Sequence, residues 1–305
     1  MSRLRWVPVS ALVLGIVVVG AAFLAGGMAR VVAWYLLDLV PFVAVPMAVV
    51  VLGVAAVRRR VGPATRVTLA ACVLGSLPLL KTFQIVPLAF PASLDAVAPS
   101  LTVRLPSDQP LLVVWGGDAL ETNRHVTEPA QRWAYDLVVR PALSGESSLE
   151  AYGCWGTPVL APAAGAVVRV VDGLPDHPPA VPSNDALTPC GNHVALRVEA
   201  TGTVLILCHL QRGSIAVTDG AAVAEGAVVG RCGNSGNTSE PHIHVHHQRE
   251  LPPEGVFIGE GLPLYFRGHD GAPMPIGGVR EVDGVVEALG DTVRHRGGGA
   301  SAAPG

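Results

Sequence analysis

The first 95 residues contain long stretches without a charged side chain, and these constrain the fold more than any other feature. Trp6 to Ala29 is 24 residues without a charge, and Leu39 to Val57 is 19. At about 1.5 Å per residue, the first run would form a helix of roughly 36 Å, enough to cross a hydrocarbon core of about 30 Å. The alternative, buried core helices, rarely has such long uncharged runs. We therefore predict that residues 1–95 form a membrane anchor.

A third membrane span is predicted between Val67 and Leu94. Lys81 and three prolines interrupt this apolar run. A lysine at such a position can snorkel to the interface or line a contact between helices. The anchor is thus predicted to contain about three transmembrane α-helices. Alternatively, the first run is a cleaved signal peptide that ends in the small residues 25–29.

The arginines predict how the anchor is oriented. Arg3 and Arg5 precede the first run, and four arginines lie in residues 58–66, between the second and third runs. Arg30 is predicted to lie in the loop between the first two spans. Because cytoplasmic loops are enriched in arginine and lysine, the amino terminus and residues 58–66 are predicted to face the cytoplasm. Everything after about residue 95 is then extracytoplasmic. The same holds if the first run is a signal peptide, because the last predicted span still leads out from the cytoplasmic residues 58–66.

The net charge of the remainder excludes one class of partner. Residues 1–100 carry eight basic and two acidic side chains (+6), and residues 101–305 carry 13 basic and 22 acidic ones (−9), which together give the −3 of the whole chain. Nucleic-acid binding depends on neutralising phosphates with basic side chains. We therefore expect no nucleic-acid partner.

Residues 100–270 are predicted to form a mainly antiparallel β domain. Short β-rich runs alternate there with Gly, Pro and Asn clusters, and helical periodicity is weak. The predicted strands are Leu111–Trp115, Trp133–Val139, Val167–Val171, His193–Val198, Thr203–Leu207, Val228–Gly230 and His242–His246. Two stretches, 159–168 and 221–229, share Gly-Ala-Val-Val and predict a pair of related hairpins. Residues 271–305 are predicted to be a flexible tail with one strand at 278–289 and a disordered end from Arg296.

Four cysteines lie in the predicted outer domain, an even number that suits an oxidising compartment. Cys154 and Cys190 both lie in loops beside Gly and Pro, which favours a disulfide between them over the bonds with Cys208 or Cys232. The alternative is that all four cysteines are free, small buried side chains.

Two segments carry the side chains that suggest chemistry. His242, His244 and His246 share one face of a predicted strand, which suits one metal ligand and a neighbouring acid or base. Asp136 is predicted to lie on the face of its strand opposite the aromatic residues. A buried carboxylate needs a metal or a cation, and a salt bridge with Arg132 is the alternative partner.

These segments resemble a known family. Residues 208–214 (Cys-His-Leu-Gln-Arg-Gly-Ser), residues 233–244 (Gly-Asn-Ser-Gly-Asn-Thr-x-x-Pro-His-Ile-His) and the strand with Asp136 are similar to the lysostaphin/LytM-type zinc metallopeptidases. The resemblance covers roughly residues 110–250 and implies the duplicated-hybrid-motif fold, a Zn²⁺ cofactor and peptidoglycan as substrate. It also implies that Asp136 and His244 bind the metal and that His209 and His242 are catalytic.

One position departs from the family pattern, His-x-x-x-Asp. Arg132 stands four residues before Asp136, where the family has a metal-binding histidine. Some relatives show a similar Asn-x-His before Gln-Arg-aromatic-Ala-x-Asp, and here Asn123-Arg-His125 lies upstream. We therefore predict His125 as the replacement ligand. The alternative is that His125 is a loop histidine without a role.

Together these observations predict a multi-pass protein of the cell membrane with an extracytoplasmic LytM-type metallopeptidase domain. It would hydrolyse peptide bonds of cell-wall peptidoglycan by metal-activated water, with His209 and His242 assisting proton transfer. The alternative is a catalytically inactive LytM-type module that binds wall peptide or regulates another hydrolase; Arg132 is the observation that favours it. The expected partners are peptidoglycan peptide and the lipid bilayer, and the sequence names no protein partner.

Overall fold

The computed structural model describes residues 7–253 and 255–296. The chain divides into two compact units, Met1–Leu88 and Ala89–Gly305. Trp6, the first residue of the first predicted span, and residues 297–305, within the predicted disordered end, lie outside the described residues.

The first unit is helical. Its helices are α1 (Val7–Ala25), α2 (Gly27–Arg58), α3 (Pro63–Ser76) and α4 (Leu79–Thr82). The prediction of one helix from residue 6 to residue 29 is wrong, because Gly26 and Gly27 have φ angles of 77° and 54°, a conformation that glycine adopts readily and that ends α1. Arg30 is not in a loop; it lies in the first turn of α2 and donates from Nε to the carbonyl of Phe23 at 2.8 Å.

Two helical segments of this unit are long and apolar enough to cross a membrane, Gly27–Arg58 and Pro63–Thr82. The prediction of about three is therefore corrected to two among the described residues, with a shorter apolar helix at Val13–Ala25. The predicted third run also ends early: helix stops at Thr82 and does not continue to residue 94. A proline-containing segment follows, and proline disfavours helix in the residue before it.

Lys81 lines a contact between helices, one of the two roles predicted for it. Its Nζ lies 2.7 Å from Asp38 Oδ2 on α2 and 4.3 Å from the centre of the Trp34 ring. The hydroxyl of Thr82 donates to Asp38 Oδ1 at 2.8 Å. Charge pairing and cation–π contact thus join α4 to α2.

The second unit is built on one eight-stranded sheet. Its strands are β2 (Leu111–Trp115), β3 (Tyr135–Val138), β5 (Gly165–Val171), β6 (Asn192–Val198), β7 (Val204–Leu210), β8 (Ala222–Val223), β10 (Ile243–Gln248) and β14 (Thr292–Val293). Their order across the sheet is β14-β2-β3-β10-β7-β6-β5-β8. Every neighbouring pair in this sheet is antiparallel, so the predicted antiparallel β domain is confirmed. Smaller pairs join β1 (Leu101–Val103) to β11 (Leu264–Phe266), β4 (Pro158–Leu160) to β9 (Val228–Arg231), and β12 (Val279–Val282) to β13 (Val285–Ala288).

The main hydrophobic core of the second unit lies on one side of the central strands, and a smaller buried cluster lies on the other. Ile243 and Val245 of β10 and Tyr135 and Leu137 of β3 are fully buried in the main core. Because side chains alternate along a strand, Asp136 and His244 point to the opposite face. The register places these two residues directly opposite each other.

The two stretches that share Gly-Ala-Val-Val pair reciprocally. The first contributes β4 and β5, and the second contributes β8 and β9; β4 pairs with β9 and β5 pairs with β8. The prediction of two related hairpins is therefore wrong: in the described sheets, the two strands of each stretch pair with strands of the other stretch and not with each other.

The region predicted to be a tail contains three strands. A hairpin, β12–β13, replaces the single strand predicted at 278–289, because Asp283 and Gly284 both adopt positive φ and form a tight turn. Downstream, Thr292 and Val293 pair with β2. The main sheet therefore includes residues as far as 293.

The disulfides differ from the favoured pairing. The bonds are Cys154–Cys232 and Cys190–Cys208, with Cα–Cα distances of 5.8 Å and 4.9 Å. Cys190 precedes β6 and Cys208 lies on its neighbour β7, so strand pairing, rather than the loop setting of each cysteine, decides the partner. The prediction of Cys154–Cys190 is wrong.

Candidate metal centre

Asp136 and His244 form the centre of a cluster of polar side chains on the open face of the sheet. His244 Nδ1 lies 2.8 Å from Asp136 Oδ1. Asp136 is 9% exposed and His244 is 2% exposed. Adjacent strands in fixed register hold both side chains, so their separation depends on the sheet rather than on a loop.

His125 reaches the same carboxylate from a short 3-10 helix, Arg124–Thr127. Its Nε2 lies 2.9 Å from Asp136 Oδ2, whereas His244 faces Oδ1. The 3-10 helix begins at Asn123, whose side-chain oxygen accepts from the amide of His125 at 3.1 Å. The two carboxylate oxygens of Asp136 thus each face a different imidazole.

His242 and His209 lie beside this group. His242 Nε2 is 3.5 Å from Asp136 Oδ1, and the rings of His242 and His209 have centroids 4.6 Å apart. In each, Nδ1 contacts a backbone carbonyl at 2.8 Å, that of Glu240 for His242 and that of Ser235 for His209. An Nδ1–H that donates to a carbonyl leaves the lone pair of the neutral imidazole on Nε2.

Burial is the main influence on the pKa values in the cluster. Desolvation lowers the pKa of His244 to about 4 and lowers the pKa of His209 well below its ordinary value. Burial by itself raises the pKa of Asp136, but the neighbouring His125 and His242 outweigh it and hold that pKa well below the usual range. An ionised Asp136 beside a neutral His244 is the protonation state that metal ligands need.

The donor atoms fit a zinc ion. One atom each from His125, Asp136 and His244 lie within 4.8 Å of one another. Two imidazole nitrogens and a carboxylate oxygen are a donor set that catalytic zinc sites use, with a fourth position open. Moreover, His125 Nε2 is buried and faces Asp136 Oδ2 at 2.9 Å, so this nitrogen points into the same space as the other two donors.

Arg132 is not part of this cluster. Its guanidinium pairs with Asp118 Oδ1 at 3.0 Å, and its Nε donates to the carbonyl of Phe90 at 2.9 Å. The alternative of a salt bridge between Arg132 and Asp136 is therefore wrong. Arg132 precedes β3 and is not on it, so the expected strand alternation does not extend to this residue.

Sequence reasoning gave no role to two residues that contact the cluster. His246 Nδ1 lies 3.0 Å from His244 Nε2, although the sequence did predict that both share a strand face. The carbonyl of Ser235 contacts His209, and no side-chain pattern reveals a backbone contact of this kind. Cys208 also lies within reach of His244 and His246, but its sulfur is held in a disulfide.

Part of the second unit matches a known family model. Residues 149–253 match the model of Peptidase family M23. The predicted resemblance to lysostaphin/LytM-type metallopeptidases is thereby confirmed. The matched region contains His209, His242 and His244, whereas His125 and Asp136 lie upstream of it. No curated protein matches the chain.

Solved structures of three other proteins are similar to parts of the chain. One is the catalytic domain of the prophage-encoded M23 protein EnpA from Enterococcus faecalis, at 18% identity over 53% of this chain and 94% of that one, with a TM-score of 0.33. Another is the catalytic domain of lysostaphin from Staphylococcus simulans, at 18% identity over 46% and 79%, with a TM-score of 0.29. A zinc-containing peptidase from Vibrio cholerae gives 18% identity over 48% and 36%, with a TM-score of 0.30. Likenesses at this level do not carry an activity from one protein to another.

Proposed function

We propose that the chain is a membrane-anchored zinc metalloendopeptidase that cleaves peptide bonds in cell-wall peptidoglycan. The observation that carries the proposal is the convergence of His125, Asp136 and His244, from three separate segments, on one point at the sheet surface. The family match of residues 149–253 supports the reaction class, because peptidases of this family are hydrolases.

In this proposal His125, Asp136 and His244 hold zinc. Zinc, when bound, polarises the peptide carbonyl and makes a water molecule nucleophilic near neutral pH. Asp136 supplies the negative charge of the site.

His209 and His242 move protons in the proposed reaction. Each has its Nδ1 tied to a backbone carbonyl at 2.8 Å, which fixes the ring and leaves Nε2 to exchange a proton. A positioned imidazole of this kind typically contributes a factor of about 10² to 10⁴ to the rate. A ring that has accepted a proton from water at Nε2 can then donate that proton to the departing amine.

The proposed location is the outer side of the cell membrane. Gly27–Arg58 and Pro63–Thr82 support it, because the arginine-rich residues 58–66 join them and favour a cytoplasmic position for that connection. Two crossings from a cytoplasmic connection bring both flanking segments to the outer side. Residues 100–270 would then form the catalytic domain, next to the wall that contains the substrate.

The test uses the purified full chain in detergent micelles with isolated peptidoglycan. We expect about one zinc per chain, release of soluble wall fragments with new amino termini, and loss of both in His244→Ala. The same preparation of His209→Ala should keep zinc and lose the fragments. A folded, zinc-loaded wild-type chain that binds peptidoglycan without cutting it would instead support the inactive wall-binding module.

A further inference from the structure

Arg132 is a buried cation, 5% exposed, and among the described residues its polar contacts are with Asp118 and Phe90, outside the metal cluster. Besides the 3.0 Å pair with Asp118 Oδ1, its Nη1 donates to the backbone carbonyl of Asp118 at 3.1 Å. Its Nε donates to the carbonyl of Phe90 at 2.9 Å. The Arg132 guanidinium thus binds both the side chain and the backbone carbonyl of Asp118.

Asp118 has a second buried partner. Trp133 Nε1 donates to Asp118 Oδ1 at 2.7 Å, and the Arg132 guanidinium lies 5.1 Å from the centre of the Trp133 ring. Two consecutive side chains, Arg132 and Trp133, therefore fix a single carboxylate. Both residues immediately precede β3, the strand that carries Asp136.

From Asp118 a short run of hydrogen bonds leads to His125. The carbonyl of Ala119 accepts from the amide of Asn123 at 2.9 Å. The Asn123 side chain donates to the carbonyls of Gly117 at 2.9 Å and Ala134 at 3.1 Å, and it accepts from the amide of His125. Asn123 is completely buried. The segment 117–125 is thus tied to the start of β3 at two points, through Asp118 and through Asn123.

We propose that Arg132 and Asp118 are positioning residues for the metal ligand His125. In this arrangement Arg132 does not itself bind the metal in place of the missing histidine. It holds the segment 117–125 in position, and that segment carries the replacement ligand His125. The inference rests on the proposed function, because it takes His125 to be a ligand. Groups that orient a metal ligand typically change metal affinity by about 10- to 100-fold when they are removed.

The test measures the zinc dissociation constant of the full chain in detergent by competition with a chromophoric chelator. Asp118→Ala is the main variant, because the Asp118 side chain is 44% exposed and its loss leaves no buried cavity. We expect zinc to bind about 10-fold or more weakly. Arg132→Lys should behave similarly, since a single ammonium does not reproduce the guanidinium fork. Glu225→Gln, which breaks the 2.6 Å pair with Arg267 far along the chain, is the matched control and should leave affinity unchanged.

A double-mutant cycle separates positioning from a general structural effect. In a His125→Ala background, Asp118→Ala should cause no further loss of zinc affinity. An equal loss in both backgrounds, or an unchanged affinity in Asp118→Ala alone, would overturn the inference. The proposed function fails on a different result: a wild-type chain that binds no zinc, or a His125→Ala variant that binds it normally.

The cobalt-substituted protein gives a second readout. Visible absorption of Co²⁺ reports its coordination, so a displaced His125 should change the spectrum of Asp118→Ala even at saturating metal. A spectrum identical to that of the wild type at full occupancy would also contradict the inference, because His125 would then bind without its anchor.

Discussion

His244 and His246 share a hydrogen bond of 3.0 Å between Nε2 of the first and Nδ1 of the second. The two rings lie on the same face of β10, and their centroids are 5.1 Å apart. In a ligand that binds metal through Nδ1, the proton resides on Nε2 and needs an acceptor. His246, which is completely buried, provides that acceptor.

Replacing His246 should therefore weaken zinc binding although it is not a proposed ligand. We expect His246→Leu to raise the zinc dissociation constant by about 10- to 100-fold, because His244 loses the group that fixes its tautomer. His246→Gln, which keeps an acceptor, should lie closer to the wild type. Equal affinities for His246→Leu and the wild type would show that the contact does not orient His244.

The role of His125 can be tested against that of Asp136. If His125 is a ligand, His125→Ala should lower zinc content about as much as Asp136→Ala, since each removes one of three protein donors. Elemental analysis of the dialysed full chain measures this directly. His177→Ala is the control, since the hydrogen bonds of His177 come from its backbone. Full occupancy in His125→Ala would remove His125 from the site.

His209 should separate metal binding from turnover. His209 contacts the rings of His242 and His244 at 4.6 Å and 5.7 Å between centroids, and it is not one of the three proposed ligands. We expect His209→Asn to keep zinc and to lose about 10²-fold or more in kcat for peptide release, as for loss of a general acid or base. Loss of zinc together with activity would instead indicate that His209 binds the metal.

Much of the sheet could be predicted because its strands are short β-rich runs between Gly, Pro and Asn clusters. Leu137 and Val245 also belong to runs in which alternating apolar side chains mark the buried face, and both are completely buried. The pairing of Asp136 with His244 depends on which strands become neighbours, and only the resemblance to a family supplied that. The local sequence pattern thus predicts where strands lie, whereas predicting which distant strands are neighbours requires knowledge of the fold.

Two features could not be predicted because they depend on contacts with distant parts of the chain. The disulfide partners Cys190 and Cys208 are chosen by the register of β6 and β7, and no feature beside either cysteine encodes it. The salt bridge of Arg132 depends on a loop 14 residues earlier in the chain. The break at Gly26 was visible as a Gly-Gly pair, but the uncharged run on both sides concealed it.

The two disulfides should contribute differently to stability. Cys154 and Cys232 are separated by 78 residues, and Cys190 and Cys208 by 18. In the chain-entropy description a bond that closes a longer loop restricts the unfolded state more, giving about 4.5 kcal/mol for the first and about 3 kcal/mol for the second. Urea unfolding of the two double alanine variants in detergent measures this. A larger loss for the shorter loop would mean that native contacts around His209, next to Cys208, dominate.

His247 should make stability depend on pH. Its Nδ1 donates to the carbonyl of Pro263 at 3.1 Å, and its Nε2 accepts from the hydroxyl of Thr203 at 2.7 Å. Burial lowers its pKa to about 4, although the contact with Pro263 opposes the shift. The unfolded chain, with a pKa near 6.5, takes up the proton first, so the folded state loses stability as pH falls from about 6.5 towards 4.

At pH 5 the free energy of unfolding is expected to be about 2 kcal/mol lower than at pH 7.5 because of His247. Because the pKa of His244 is also lowered to about 4, the informative quantity is the difference between the wild type and His247→Gln in metal-free protein. The variant should be less stable than the wild type at pH 7.5 and should lose less stability on acidification, by roughly this amount. Parallel stability curves for the two proteins between pH 7.5 and pH 5 would show that His247 accepts its proton equally well in the folded and unfolded chain.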